Sequence, residues 1–323
     1  MTARRRIPFT VIGGFLGAGK TTLVNHLLHE FAAVGGPAPR LAVLVNDFGA
    51  INIDAALIES RTASTIGLAN GCVCCQIGDD LMGALVGVLE AAEPFDAIVV
   101  EASGVSDPWR IAQIAKADPT LSLEAVVVLV DASAVVEQSV DPLLADTLVR
   151  QLRAADLVLL NKVDLVDAAA RAAARAWVEA TAGPVTVIDT AQAKVPLVLL
   201  AGSGVARSDL TAWTARPLQG AGAEHGLQFE SVAMRLPERL VAARLRELLK
   251  AMPAGVLRLK GIVRTDEHDW AEIQFAGRHG SLRRALDAPA DGAASLVAIG
   301  LRGRLPAQAL RALLVRASEG STG

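Results

Sequence analysis

The sequence predicts an α/β chain: a mostly parallel sheet covered by helices, followed by a smaller α+β domain. Three observations predict it. Short β-branched apolar runs alternate with helical stretches over residues 7–201, a glycine-rich turn joins the first run to the first helix, and the periodicity changes past a Gly-, Ser-, Ala- and Pro-rich stretch. The length agrees, since 323 residues at 52% hydrophobic and 20% charged suit about two domains with a large core.

Phe9-Thr10-Val11-Ile12 reads as a buried strand and Thr22 to Leu28 as a helix. Between them Val11 to Thr22 spells VIGGFLGAGKTT, in which Gly14, Gly19, Lys20 and Thr21 fill the phosphate-loop pattern GxxxxGK(S/T). Glycines let successive N–H groups face one concavity, and the helix start adds a positive dipole end. Gly14, Gly17, Ala18, Gly19, Lys20, Thr21 and Thr22 are therefore a candidate polyphosphate cradle, and the domain is expected to be a P-loop NTPase. Lys20 is expected to reach the outer phosphates and the Thr21 hydroxyl to ligate Mg²⁺.

The run Leu41 to Val45 ends in Asn46-Asp47-Phe48-Gly49, a buried strand and its loop, which makes Asp47 a candidate for a segment that orders around a bound triphosphate. Further strands are expected at Ala97 to Glu101, Ala125 to Asp131, Leu157 to Lys162 and Val185 to Ile188, with helices at Asp80 to Ala92 and Ala168 to Thr181. Each polar strand tail then falls at the carboxyl edge, where doubly wound sheets bind ligands. Glu101, followed by Ala102-Ser103-Gly104, would stand where an outer phosphate and its Mg²⁺ lie, so Lys20, Glu101 and Gly104 form the candidate catalytic set. Asn161-Lys162-Val163-Asp164, NKVD, is a base-reading pattern. A carboxylate at Asp164 can accept from both the ring N–H and the exocyclic amine of guanine, which adenine cannot offer, so GTP is the expected nucleotide. Val187 to Thr190 could add backbone contacts to the base.

All three cysteines crowd into Cys72, Cys74 and Cys75, CVCC. An odd, clustered set argues against a disulfide framework and for reduced thiols in a cytosolic setting. Three thiolates suit zinc or copper(I) and leave one tetrahedral position open; small buried cysteines or a redox pair are the alternatives. Of the histidines, His225 at the linker is a candidate ligand, whereas His26, His29, His268 and His279 are scattered, and His26 and His29 read as surface residues on one side of the first helix. Past a linker at 202–226, the region 227–318 is expected to hold strands at Phe229 to Arg235, Val256 to Val263, Trp270 to Phe275 and Leu296 to Leu301. Helices are expected at Pro237 to Ala251 and Pro306 to Ala317, and a ferredoxin-like order is one form such a domain can take.

A formal net charge of -3 without long like-charge runs offers no footprint for nucleic acid or an anionic membrane. No apolar run approaches the roughly 18 to 20 residues of a membrane span. Arg4-Arg5-Arg6 before an apolar run imitates a secretion signal, but the phosphate loop takes the place of a cleavage site, so a cytoplasmic chain is expected.

The segments GGFLGAGKTT, NDFGAINID, NGCVCC, EASGVSDP and NKVD, in this order, resemble the CobW-type family of GTP-binding metallochaperones, relatives of the UreG and HypB nickel-insertion GTPases. Arg258-Leu259-Lys260-Gly261 and Leu296 to Gly300 are similar to that family's C-terminal domain. The resemblance implies slow GTP hydrolysis with Mg²⁺, and Zn²⁺ or a related divalent metal at Cys72, Cys74 and Cys75. It also implies a nucleotide state coupled to metal transfer to a client metalloprotein or cofactor-synthesis enzyme. The family commonly carries Glu where this chain has Asp47, and the His-rich linker or tail of many members is absent. No arginine finger or equivalent Gln is evident, so faster turnover would need a partner or a nucleotide-dependent homodimer. Open alternatives are an assembly or activator factor for cobalamin synthesis or for a metalloenzyme such as nitrile hydratase, a non-catalytic GTP- and zinc-binding regulator, and a small-molecule kinase.

Overall fold

The computed structural model describes residues 6–32, 40–46, 64–68, 79–196, 199–200, 229–236, 238–277, 279–285, 288–289 and 292–318. The chain divides into two units, Arg6–Val205 and Ala206–Gly323. Of the first unit's sequence expectations, Asp47, Cys72, Cys74 and Cys75 lie outside the described residues, as do His225 and the expected linker.

The first unit is built on strands β1 (Ile7–Gly14), β2 (Leu41–Asn46), β3 (Ser64–Leu68), β4 (Ala97–Glu101), β5 (Leu121–Asp131), β6 (Leu157–Asn161) and β7 (Thr186–Asp189). They form one seven-stranded sheet in the order β3-β2-β4-β1-β5-β6-β7, with every neighbouring pair parallel. β4 and β6 are buried at every position, which is why they read as unbroken apolar runs: helices cover both faces. Those helices are α1 (Lys20–Ala32), α2 (Asp79–Leu89), α3 (Pro108–Ala117), α4 (Val135–Val140), α5 (Ala145–Ala154) and α6 (Ala168–Ala182). Phe9, Leu44, Leu85, Ile98, Ile111, Val128 and Leu152 meet in the core between sheet and helices.

Local signals explain the helix starts. Asp107 accepts a hydrogen bond from the Trp109 N–H at 2.9 Å and Pro108 opens α3; Asp167 accepts from the Ala170 N–H at 2.8 Å at the head of α6. The sequence reading did not include β3, α3, α4 or α5. β3 is a short edge strand, α4 spans six residues, and the buried stripe of α5 is interrupted by a glutamine, so each lacks a long apolar period.

The second unit contains β8 (Phe229–Arg235), α7 (Ala242–Lys250), β9 (Val256–Val263), β10 (Ala271–Ala276), β11 (His279–Arg284), β12 (Ser295–Leu301) and α8 (Ala307–Ser318). The sheet order is β11-β10-β9-β12-β8 with antiparallel neighbours. β8 and β9 are therefore parallel to each other with β12 between them, a split β-α-β unit. The ferredoxin-like pattern is shared to that extent; α8 follows the last strand instead of lying between strands. β10 alternates buried and half-buried positions, as a sheet covered on one face requires, and Leu245, Leu249, Leu259, Ile273, Leu296, Leu310 and Leu314 fill its core. α7 begins at Ala242, later than the expected Pro237, because Leu240 is drawn into a bridge with Thr265 and the Asp266 carboxylate accepts the Ala242 N–H at 2.7 Å. Among the described residues no helix is long and apolar enough to cross a membrane.

The glycines between β1 and α1 are not equivalent. Gly14 has φ +133° and a Cβ there would stand 2.4 Å from the Leu129 carbonyl oxygen of β5; Gly17 has φ +76° with open space around it. Gly14→Ala should cost at least about 3 kcal/mol and Gly17→Ala about 1–2 kcal/mol, read as the difference in denaturant midpoints without nucleotide.

Candidate nucleotide site

The parallel registers Ile12↔Glu101, Val45↔Glu101, Gly14↔Leu129, Asp131↔Asn161 and Leu160↔Asp189 bring the polar strand ends to one edge of the sheet. At that edge the phosphate loop runs into α1. Lys20 is 8% exposed and its Nζ donates to the Phe15 carbonyl at 3.3 Å, so the lysine folds back over its own loop. The Thr21 hydroxyl donates to Glu101 Oε1 at 3.0 Å, and Glu101 is buried. A hydroxyl and a carboxylate side by side at a helix start form a hard oxygen set of the kind Mg²⁺ takes. The Ala102 N–H donates to the Ile12 carbonyl at 2.8 Å, which ties the chain after β4 to β1. A Cβ on Gly104 would fall 2.8 Å from the Leu16 nitrogen, so only glycine permits this approach to the phosphate loop.

Asn161 joins that end of the site to the other. Its Nδ2 donates to the Ala18 carbonyl at 2.9 Å, while its Oδ1 accepts from Thr190 Oγ1 at 3.1 Å and from the Ala193 N–H at 2.8 Å. A Cβ on Gly19, at φ +103°, would meet Asn161 Nδ2 at 2.5 Å; the glycine makes room for the bridge. Lys162 takes the left-handed conformation, φ 62°, and pairs with Asp131 Oδ2 at 2.6 Å. Burial pushes the Asp131 carboxyl up, but hydrogen bonds from Lys162 and Ser133 outweigh it and hold the group below its ordinary value. Asp164 lies exposed on the 3₁₀ turn Val163–Leu165, past the sheet edge. Asp189 is committed elsewhere: Arg171 Nε donates to its Oδ2 at 2.6 Å and Arg175 Nη2 to its Oδ1 at 2.7 Å, clamping β7 to α6.

Thus the structure brings together Gly14, Gly17, Ala18, Gly19, Lys20, Thr21 and Thr22 with Glu101, Gly104, Asn161 and Lys162 at one sheet edge, and leaves the Asp164 carboxylate open to solvent. Among the described residues no group of three His, Cys, Asp or Glu gathers as for a metal ion. His26 is not a plain surface residue, since Nε2 lies 2.9 Å from the Val195 carbonyl and must carry the proton of that bond. Asp131 and Gln151 were missed as site residues. Asp131 ends an apolar strand as Glu101 does, which was its only sequence signal; Gln151 gave none.

A family model described as the CobW/HypB/UreG nucleotide-binding domain matches residues 8–191. The chain belongs to that family. In the second unit of this CobW/HypB/UreG-family protein, a model described as the cobalamin synthesis protein cobW C-terminal domain matches residues 229–318. The chain is 32% identical to the zinc chaperone CobW of a Sinorhizobium species over 295 residues, 79% of this chain and 81% of that protein. It is 36% identical to the zinc chaperone YjiA of Escherichia coli over 167 residues, 49% of this chain and 50% of that one. It is also 32% identical to the zinc-regulated GTPase metalloprotein activator 1 of Dictyostelium discoideum over 199 residues, 50% of this chain and 41% of that one.

The Asp131–Lys162 pair gives the fold an acid-sensitive contact. Because the folded carboxyl sits below its unfolded value, the stabilisation is present above the usual carboxylate range and is lost as pH falls through the folded value. Asp131→Asn should lower stability by about 1 kcal/mol near pH 7, and the difference should shrink progressively as pH is taken below the ordinary carboxylate range, measured by thermal unfolding of both proteins across that interval.

Proposed function

We propose that this protein is a GTP-hydrolysing metallochaperone, with zinc or a related divalent ion as cargo. The observation that carries the nucleotide part is the Asn161 carboxamide, which bonds both the phosphate loop at Ala18 and the turn at Thr190 and Ala193. One site then has a phosphate end and a base end at a set separation. The loop amides and the start of α1 would hold the phosphates, and Lys20 would leave the Phe15 carbonyl for the outer ones. Thr21 and Glu101 would hold Mg²⁺, which when bound neutralises charge on the transferred phosphoryl group. Gly104 would offer its N–H to the third phosphate and Glu101 would also orient the attacking water. The exposed Asp164 would accept from two donors of guanine.

The cargo part rests on Cys72, Cys74 and Cys75 and on the relatives that are named zinc chaperones. The chain leaves β3 at Leu68, paired with Asn46 of β2, whose neighbour Val45 pairs with Glu101. Two strand spacings separate β3 from β4, about 10 Å, so Leu68, four residues before Cys72 in the sequence, ends β3 at the sheet edge that carries Glu101. Ordering of the Asp47 and Glu101 segments around GTP would change the thiolate geometry, and by linkage the metal would change nucleotide affinity by the same factor. Slow intrinsic turnover, a cytoplasmic setting and a nucleotide-dependent homodimer belong to the same proposal. The name of the Dictyostelium relative favours a metalloprotein as the client to be activated.

Equilibrium titrations with GTP and ATP, and phosphate release with and without zinc, test this reading. Asp164→Ala should reduce the preference for GTP over ATP by about 10–100-fold. Joint replacement of Cys72, Cys74 and Cys75 by Ser should abolish zinc binding and the zinc dependence of phosphate release while leaving metal-free GTP binding intact. If zinc binding and its effect on turnover both survive that replacement, the cargo site is elsewhere.

A further inference from the structure

The inward stripe of α5 is Leu148, Gln151, Leu152 and Ala154, so a carboxamide holds a position that packing alone would give to an apolar side chain. Gln151 is 2% exposed. Burying an amide is unfavourable unless its hydrogens are bonded. Gln151 Nε2 lies 3.0 Å from the Gly104 carbonyl and 3.0 Å from the Ser106 carbonyl, which uses both hydrogens of the NH₂ group. The segment it holds leaves β4 at Glu101, presses Gly104 against Leu16 of the phosphate loop, turns through a 3.0 Å bond from the Ser106 N–H to the Ser103 carbonyl, and ends in the Asp107 cap of α3. The Ser103 and Ser106 hydroxyls are buried and make no hydrogen bond among the described residues, so neither pins the segment.

We infer that Gln151 is a positioning residue for recognition of the third phosphate: by holding the Gly104 and Ser106 carbonyls it keeps Gly104 against the phosphate loop, and so sets how strongly the site prefers a nucleoside triphosphate over a diphosphate. The inference rests on the nucleotide reading proposed above. α5 also lies between β5 and β6 in the chain, the strands that end in Asp131 and Asn161, so the helix that stakes the phosphate-sensing segment shares its flanks with the base-side elements.

The test titrates the full chain, Gln151→Met and Gln151→Asn with GDP and with a non-hydrolysable GTP analogue in the presence of Mg²⁺, alongside thermal unfolding. Methionine keeps the length without a donor, and asparagine is a methylene too short to span both carbonyls. Affinity for the triphosphate analogue should fall about tenfold in Gln151→Met, with GDP affinity within about twofold of the parent. Gln151→Asn should move the same ratio in the same direction, and decides the matter if the methionine variant does not fold. A lowered melting temperature with an unchanged triphosphate-to-diphosphate ratio, or an equal loss for both nucleotides, would overturn the inference and leave Gln151 a structural amide. Absence of binding of either nucleotide to the parent protein would overturn the nucleotide reading itself, a result distinct from a parent that binds both and variants that keep its ratio.

Discussion

The Asn161 carboxamide is the constraint on which the nucleotide edge depends. It spans elements that are far apart in sequence, and all three of its bonds join buried groups, which burial makes costly to leave unpaired. Its presence dictates a neighbour: Gly19 has no room for a side chain because the amide nitrogen occupies that space. It also sets the direction of the next three residues. With Asn161 turned toward the loop, Lys162 enters the left-handed region and reaches Asp131, and Asp164 is carried outward on the 3₁₀ turn.

The sheet order makes this bridge reachable. β1 lies between β4 and β5, so the phosphate loop opens at the place where the chain connections diverge to either side, with Glu101 on one flank and Asp131 and Asn161 on the other. Ligands of doubly wound sheets occupy that crevice because loops part there and strand ends expose their polar groups. The close approaches on both flanks are made possible by glycine: Gly104 against Leu16, Gly14 against Leu129 and Gly19 against Asn161. Family membership and these contacts agree on the same stretch of chain, since the nucleotide-binding model covers residues 8–191, which includes them all.

Much of this was legible in the sequence because its signals are local. The phosphate loop, the strand ends at Glu101 and Asn161 and the alternation of strand and helix each sit within a few consecutive residues, and the register of a parallel sheet then carries strand ends to a common edge. The boundaries that shifted did so through contacts from elsewhere. α7 starts at Ala242 because Thr265 and Asp266 hold the residues before it, and the polar positions of α5 hid a helix whose buried face includes an amide. In the second unit the alternation of β10 was visible, while the placement of β12 between β8 and β9 was not, since pairing order has no local trace.

By itself the sequence determined the fold class, the phosphate-loop pattern, the NKVD pattern at the end of a buried strand and the cysteine cluster, because those depend on residue type and spacing along the chain. Only the tertiary structure decided that Asp131 pairs with Lys162, that Asp189 is held by Arg171 and Arg175, and that Gln151 stakes the segment beside the phosphate loop. Each of these is a hydrogen bond between different elements, β5 with the turn after β6, β7 with α6, and α5 with the segment after β4, whose groups become neighbours only once those elements have packed, and no spacing in the linear chain encodes that meeting.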